Sequence, residues 1–331
     1  PASAPSRPEA TADKPPVAPE TPTHMSMKAY TSQKRPLAQL LRETLSMVGS
    51  GSAKRTSDGA RESLERLRQA DADMIRHGAP DPLEGLRMLD VGPGQLPRQQ
   101  WYYAINNDVL GIDLDVCPFG FDPGAYLRML RLNGPLRTVK TVVRKAMGVD
   151  RAFAKAMRAD MGVDRFRTPV IEHRDATDTG LPDASFDLVY SFDSFEHFDD
   201  PHLAVREAVR LLMPGGFLYI SLHHLSAEDG YHDVRIISGQ RDDVPYWAHL
   251  RPSTRETVSP SSHLNMLSTE EWRGVFARET PGAAIELPES PTPGLREQLE
   301  RIRSEHNELT GYTDEELLGH RFNALWKKPG A

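Results

Sequence analysis

The middle of the chain alternates short apolar runs with longer segments of helical periodicity. The apolar runs predict strands at residues 86–91, 108–114, 168–173, 186–192 and 217–222. Apolar positions three or four residues apart predict helices at residues 95–105, 201–212 and 268–278, and two last strands are predicted at 284–287 and 320–326. Because strands alternate with helices, we expect an α/β fold with a mostly parallel sheet covered on both faces.

Before this α/β part, the sequence predicts a tail and a set of helices. Residues 1–27 are rich in Pro, Ala, Ser and Thr, so they bury too little apolar surface to fold and predict a disordered tail or linker. Residues 28–80 contain amphipathic patterns at 37–48 and 60–75, which predict N-terminal helices. These helices either cover the functional site or pack against the edge of the sheet.

Residues 81–331 form the predicted α/β domain, and two segments interrupt its regular alternation. Residues 116–167 lie between the second and third strands and predict a helical insertion. Residues 223–265 predict a long loop after the fifth strand, and long loops in compact domains are often functional.

Composition limits the class of protein only broadly. The single cysteine, Cys117, cannot form an internal disulfide, and no apolar run is long enough to span a bilayer, so a cytoplasmic location is expected. The net charge of −7 disfavours nucleic acid as a partner.

A glycine-rich turn follows the first predicted strand. It reads Asp90-Val91-Gly92-Pro93-Gly94, and glycines at such a turn let the backbone approach a ligand closely. The third glycine of the dinucleotide fingerprint is missing, which disfavours a pyrophosphate ligand. Asp113, about 20 residues further on, is placed to accept hydrogen bonds from ribose hydroxyls.

Further motifs occur along the chain in a recognisable order. After the glycine turn come Gly111-Ile112-Asp113, Asp175-Ala176, Phe186-Asp187-Leu188-Val189, Glu196-His197 and Leu212-Met213-Pro214-Gly215-Gly216. From about residue 86 to 222, this series resembles the class I S-adenosylmethionine-dependent methyltransferases, most closely their small-molecule and glycan branch. The resemblance implies a Rossmann-like sheet of seven strands, S-adenosylmethionine as cofactor and S-adenosylhomocysteine as product.

The resemblance also implies which residues contact the methionine and ribose parts of the cofactor. Gly92 and Gly94 would line the methionine part, and Asp90 would lie near its amino group. Asp113 would hold the ribose, with Leu114 beside it.

Four further positions are implied at the adenine and sulfonium ends. Asp175 would accept a hydrogen bond from the adenine amine, and Ala176 would offer a backbone contact. Ser191 and Phe192, at the end of the fourth strand, would lie beside the sulfonium.

A hydroxyl acceptor needs a general base, and histidine suits that role near neutral pH. His223 or His224, directly after the fifth strand, is the first candidate, and His197 after the fourth strand is the second. His232 with Asp233 gives a weaker indication of a divalent metal, because their spacing is not diagnostic. No metal site is therefore predicted.

The predicted insertion is strongly basic. Residues 124–168 hold 11 Lys/Arg against 3 Asp/Glu. Three interpretations remain open: a solvated basic face, recognition of an anionic acceptor such as an acidic glycan, and peripheral contact with an anionic membrane. In the long loop, Trp247 either belongs to the core or stacks on a sugar ring.

Three functions remain open at this point. The first is O-methylation of a sugar or glycan hydroxyl, and the second is methylation of a natural product or lipid-like small molecule. The third is a non-catalytic cofactor-binding interaction module. The turn after the fourth strand reads Ser191-Phe192-Asp193-Ser194, without the prolines typical of enzymes that methylate nucleobase amines. The sequence does not predict an oligomeric state.

Overall fold

The computed structural model describes residues 53–116, 118–119, 122–237 and 240–330. Seven strands form one sheet in the order β3-β2-β1-β4-β5-β7-β6. All neighbouring pairs are parallel except those of β7, which runs antiparallel to β5 and β6. The strands are β1 (Arg87–Val91), β2 (Asp108–Asp113), β3 (Ile171–His173), β4 (Phe186–Phe192), β5 (Leu212–Leu222), β6 (Ala284–Glu286) and β7 (Phe322–Lys327). The predicted Rossmann-like sheet is confirmed.

Ten α-helices lie in the described part of the chain. They are α1 (Ala53–Arg76), α2 (Arg98–Tyr103), α3 (Pro123–Leu132), α4 (Pro135–Ala146), α5 (Val149–Met161), α6 (Pro201–Leu211), α7 (Val234–Ile237), α8 (Thr269–Glu279), α9 (Leu295–His306) and α10 (Asp314–Leu318). Within the described ranges, none is both long enough and apolar enough to cross a membrane.

The two faces of the sheet bury separate apolar clusters. One face packs against α6 and α8, with Leu218, Ile220 and Trp272 among its buried residues. The other packs against α1, α2 and α5, where Leu64 and Met157 are buried. Strands covered on both faces need apolar residues at nearly every position, and this explains why β4 and the second half of β5 are almost continuously apolar.

The predicted insertion forms α3, α4 and α5 between β2 and β3. Helix α5 packs against α1, and the ring of Trp101 on α2 stacks on Phe166 at a centroid distance of 5.3 Å. The end of the insertion is thereby fixed to the N-terminal helix and to the sheet.

Some elements differ from the sequence-based expectation. The periodicity of α9 and the short helix α10 was missed, because charged residues surround the few apolar positions of these helices. The long loop contains the short helix α7 and two single 3₁₀ turns, Arg241–Asp243 and Arg255–Thr257. The predicted tail 1–27 and the predicted helix 37–48 lie outside the described residues.

The carboxyl ends of β1, β2, β4 and β5 point to one edge of the sheet, since these four strands are parallel. Open α/β sheets bind their ligands at this edge. The glycine turn, Asp113, Asp193 and His223 all follow or end these strands, so the candidate residues come from four neighbouring strands.

Candidate active site

The turn after β1 is shaped by two glycines. Gly92 has φ +74°, and a Cβ there would lie 2.3 Å from Ser194 Oγ, so only glycine fits without movement of the β4 turn. Gly94 has φ +66°, and no described atom lies within 4 Å of where its Cβ would stand. A ligand can therefore approach the backbone at Gly94.

Asp113, at the end of β2, is tied to this turn. Its Oδ2 accepts a hydrogen bond from Gly94 N at 3.0 Å, and its Oδ1 accepts one from Asp115 N at 2.7 Å. Burial raises the pKa of Asp113, while the two backbone N–H groups partly offset the rise. Each carboxylate oxygen can accept a second hydrogen bond, so the group can hold a ligand and the glycine turn together.

Asp90 lies one strand position inside the turn and is fully buried. Neither of its carboxyl oxygens has a hydrogen-bond partner in the described structure, although the side chains of Gln100 and Tyr190 approach it. Burial, with a smaller contribution from the charge of Asp113, raises the pKa of Asp90 well above its usual value. A cationic ligand group nearby would supply the missing partner.

The other predicted cofactor residues differ in their environment. Asp175 is exposed, and its Oδ1 accepts hydrogen bonds from the backbone and hydroxyl of Thr177. Ala176 packs on the core, and Leu114, the residue after Asp113, is 44% exposed. Asp175, Ala176 and Leu114 can therefore all border a ligand at this edge.

Ser191 and Phe192 do not face open space. Ser191 is completely buried and donates a hydrogen bond to Val91 O at 2.7 Å, which ties β4 to the start of the glycine turn. Phe192 packs against Tyr219 and under the guanidinium of Arg66. Both side chains therefore pack within the protein, and their position beside the sulfonium stays a prediction.

Asp193, the residue after β4, is the centre of an ion cluster. Arg66 of α1 contacts both of its carboxylate oxygens, at 2.5 and 2.9 Å, and Arg321 contacts Oδ1 at 2.7 Å. Burial opposes ionisation of Asp193, but the two arginines outweigh it, and the pKa of Asp193 lies far below its usual value. Arg66 and Arg321 thus neutralise Asp193, and they tie α1 and the start of β7 to the turn after β4.

His223, the residue after β5, lies in a buried group of ionisable side chains. Its Nε2 is 2.6 Å from Asp229 Oδ1, and its Nδ1 shares a hydrogen bond of 2.6 Å with His232 Nε2. Burial by itself raises the pKa of Asp229, yet His223 outweighs this effect and the pKa is lowered. Glu196 accepts a hydrogen bond from His223 N at 3.2 Å, and burial raises its pKa to about 7.

The other two predicted bases have different surroundings. His224 is completely buried, its Nε2 lies 2.9 Å from Gly319 O, and its Nδ1 lies 3.4 Å from Thr269 Oγ1. Burial lowers its pKa to about 4, and the role of His224 as a base stays a prediction. His197 bonds His263 O through Nδ1 at 2.6 Å and contacts the ring of His232, which leaves it at the border of the group.

Two further residues considered in the sequence analysis have partners within the protein. Asp233 forms a two-oxygen ion pair with Arg235, so both of its carboxylate oxygens are already engaged. Trp247 is fully buried, and its Nε1–H donates to Leu317 O at 3.1 Å, so it belongs to the core.

The sequence analysis missed Asp193, Asp229, Arg66, His320 and Arg321. One signal was available, since Asp193 directly follows the apolar run of β4. The others come from distant segments, and nothing in their local pattern indicates the contacts that the fold creates.

Helix α4 of the insertion contacts the loop after β1 and the loop after β2. Thr141 Oγ1 donates to Gln95 Oε1 at 2.6 Å, and Arg137 forms an ion pair with Asp115. Arg144 and Lys145 both pair with an acidic residue of the insertion itself, Asp150. Arg137, Arg144 and Lys145 are therefore partly neutralised within the protein.

Two cavities lie near the sheet. One of about 10 Å³ borders His223, Glu196 and Trp272 at the carboxyl edge. A larger one, about 300 Å³, is lined by Arg87 and Asp108 at the beginnings of their strands. The larger cavity is at the opposite edge, so it is remote from the glycine turn and the histidines.

Comparison with known proteins agrees with this geometry. A family model described as a methyltransferase domain matches residues 119–220. A 27-O-demethylrifamycin SV methyltransferase of Amycolatopsis mediterranei is 38% identical over 213 residues, covering 59% of this chain and 70% of that relative. The chain belongs to the class I S-adenosylmethionine-dependent methyltransferases. This methyltransferase therefore uses S-adenosylmethionine as its cofactor, as the motif order implied.

Two further similarities are weaker. A ubiquinone biosynthesis O-methyltransferase of Paracidovorax citrulli is 28% identical over 130 residues, covering 37% of this methyltransferase and 55% of the relative. Among solved structures, the methyltransferase bound to the Trm112 activator of Haloferax volcanii has a TM-score of 0.41 at 15% identity, covering 84% of this chain and 97% of that chain.

Proposed function

We propose that this methyltransferase transfers a methyl group to a hydroxyl of a small-molecule acceptor. The observation that carries the proposal is the buried pair of His223 and Asp229 at the carboxyl end of β5, with 2.6 Å between Nε2 and Oδ1. Asp229 would hold Nε2 of this imidazole, and Nδ1 would take the hydroxyl proton once the acceptor replaces His232 as its partner. The sulfonium is already electrophilic, so the protein has mainly to align the acceptor and remove this proton.

The cofactor would lie along the carboxyl edge, from the glycine turn towards β2. Asp113 would accept hydrogen bonds from the ribose hydroxyls through the free capacity of its two oxygens. Asp90 would meet the amino group of the methionine part, since its buried carboxyl has no partner of its own. Asp175 and Ala176 stay proposed for the adenine end.

For the acceptor, we infer an apolar, hydroxyl-bearing natural product. Helix α3, helix α4 and the residue after α4 expose large apolar side chains, and α4 contacts the loops after β1 and β2. The exposed apolar residues are Leu127, Leu130, Leu132, Val139, Val142 and Met147. Such a surface suits a hydrophobic acceptor better than a polar glycan. One relative is named as a methyltransferase of 27-O-demethylrifamycin SV, and the other as an O-methyltransferase of ubiquinone biosynthesis.

A sugar or glycan acceptor stays the alternative. The insertion supports it less than its composition indicated, because Arg144 and Lys145 pair with Asp150. Three other expectations are likewise still untested: an anionic acceptor, peripheral membrane contact and a cytoplasmic location. The same holds for the division of the chain into a tail (1–27), N-terminal helices (28–80) and a methyltransferase domain (81–331).

The test combines labelled cofactor with acceptors of each class. The protein is incubated with methyl-labelled S-adenosylmethionine and, separately, a hydroxylated aromatic polyketide, a quinol, a neutral sugar and a phosphorylated sugar. We expect label in the apolar acceptors and production of S-adenosylhomocysteine. Label found only in the sugars would show that the acceptor is a sugar and not an apolar natural product. Binding of the cofactor without turnover of any acceptor would favour a non-catalytic module.

A matched pair of variants tests the role of the histidine. His223→Gln should lower kcat by about 10²- to 10⁴-fold with little change in cofactor affinity, because it removes the proton acceptor. His306→Gln, the same exchange at the exposed end of α9, is the control. Equal turnover in the two variants would refute the proposed base.

A further inference from the structure

Three buried atoms without hydrogen-bond partners meet beside β5 and β7. They are His223 Nε2, Asp229 Oδ1 and His320 Nδ1, and none has a hydrogen-bond partner in the described ranges. One ligand atom from each of these three residues lies within 4.8 Å of those of the other two. The antiparallel pairing of Leu222 with Phe322 creates this meeting, because His223 follows the first and His320 precedes the second by two residues.

Ordinary hydrogen bonding does not explain the group. His223 Nε2 and Asp229 Oδ1 are 2.6 Å apart, but the atoms are not aligned for a hydrogen bond. An aligned pair would in any case leave His320 Nδ1 unsatisfied. Leaving a buried polar atom without a partner costs about 1–3 kcal/mol, so three such atoms in one place call for a common explanation.

We propose that His223, Asp229 and His320 bind one divalent transition-metal ion. Two imidazole nitrogens and one carboxylate oxygen form a donor set that suits Zn²⁺, Fe²⁺, Co²⁺ or Mn²⁺ better than Mg²⁺ or Ca²⁺. Three protein ligands leave at least one coordination position for another molecule.

The surroundings support a metal centre. The other ring nitrogen of His223 bonds His232 Nε2 at 2.6 Å, and a ligand histidine is usually held through its second nitrogen in this way. The neighbouring cation Arg321 is neutralised by Asp193 at 2.7 Å, which limits its repulsion of a bound ion. The ring of His320 lies 5.5 Å from that of His223, so the two histidines converge from different strands.

The inference deepens the proposed function and rests on it only for the use of the ion. A bound ion would take the acceptor hydroxyl at its open position and lower the pKa of that hydroxyl, whose proton then passes to water. In that case His223 acts on the hydroxyl through the ion rather than as a free base. Binding of the ion itself does not depend on the acceptor.

Metal binding is therefore measured directly, without any acceptor. The full chain is treated with a chelator, and Co²⁺ is titrated while its visible absorption is recorded, with Zn²⁺ as competitor. We expect one ion per chain. His320→Ala and Asp229→Asn should each weaken Co²⁺ binding about 100-fold or more, since loss of a residue that merely supports a ligand already costs about 10–100-fold.

Matched controls separate this site from other histidines. His263→Gln changes a buried histidine at the same edge, whose Nε2 lies 3.0 Å from Asp199 Oδ1, and should leave Co²⁺ affinity unchanged. Affinity for S-adenosylhomocysteine shows that each variant is folded.

Two results would overturn the metal site: no Co²⁺ or Zn²⁺ binding below millimolar concentration, or binding that is equal in His320→Ala and His263→Gln. Methyl transfer that persists in chelator would then leave His223 as a free base. Metal binding without methyl transfer to any acceptor would instead refute the proposed function and keep the site.

Discussion

Replacing Asp113 by asparagine should weaken the binding of S-adenosylmethionine and S-adenosylhomocysteine without unfolding the protein. The carboxylate accepts from Gly94 N at 3.0 Å and from Asp115 N at 2.7 Å, one bond to each oxygen. An asparagine can accept only one of these bonds, and its amide NH₂ must face the other backbone N–H. The negative charge that would strengthen the bonds to both ribose hydroxyls is lost as well.

The size of the effect follows from these bonds. Hydrogen bonds to a charged group contribute about 1.5–3 kcal/mol each, against about 0.5–1.5 kcal/mol for neutral ones. Weakening two hydrogen bonds to the ribose and misplacing the amide should together reduce the free energy of binding by about 2–4 kcal/mol. Since about 1.4 kcal/mol corresponds to a factor of ten, Kd should rise roughly 30- to 1,000-fold.

The assay is isothermal titration of each protein with S-adenosylhomocysteine, together with thermal unfolding. Asp108→Asn is the matched control, because Asp108 begins the same strand at the opposite edge and is exposed. A Kd for Asp113→Asn within about threefold of the control, at equal thermal stability, would refute the reasoning that this carboxylate holds the ribose.

Two further predictions concern the fold. Burial and hydrogen bonds from Arg210 and Thr179 act on Glu207, whose pKa falls from its usual 4.5 to about 2, chiefly through Arg210. A lowered pKa stabilises the fold above pH 4.5, and this stabilisation is lost as the pH falls towards 2. Glu207→Gln should therefore lower the free energy of urea unfolding by about 1–3 kcal/mol at pH 7 and by progressively less below pH 4.5. A difference that stays constant across this pH range would contradict the prediction. Trp247→Phe leaves Leu317 O without its donor and should cost about 1–3 kcal/mol with an unchanged acceptor KM, whereas a raised KM at unchanged stability would restore the sugar-stacking interpretation.

The cofactor half of the site could be predicted because its signals are local. A glycine turn follows an apolar strand, and Asp113 ends the next strand, so short stretches of sequence contain both the geometry and the chemistry. The edge of the sheet at which they meet follows from the parallel alternation of strands and helices. The alternation also predicted the class of fold, although α9 and α10 were missed because charged residues surround their few apolar positions.

The acceptor half was decided by tertiary structure. The sequence favoured His223 and His224 equally. Only the folded structure separates their surroundings, since His223 contacts Asp229 and His232 while His224 is buried against Gly319 O. Asp193 meets Arg66 across 127 residues, and β7 brings His320 beside β5 from almost a hundred residues away. The sequence by itself determined the strands, the turn and the class of cofactor, because these depend on neighbours along the chain. Which ionisable groups share one buried volume depends on strand order and register, and no local pattern records them.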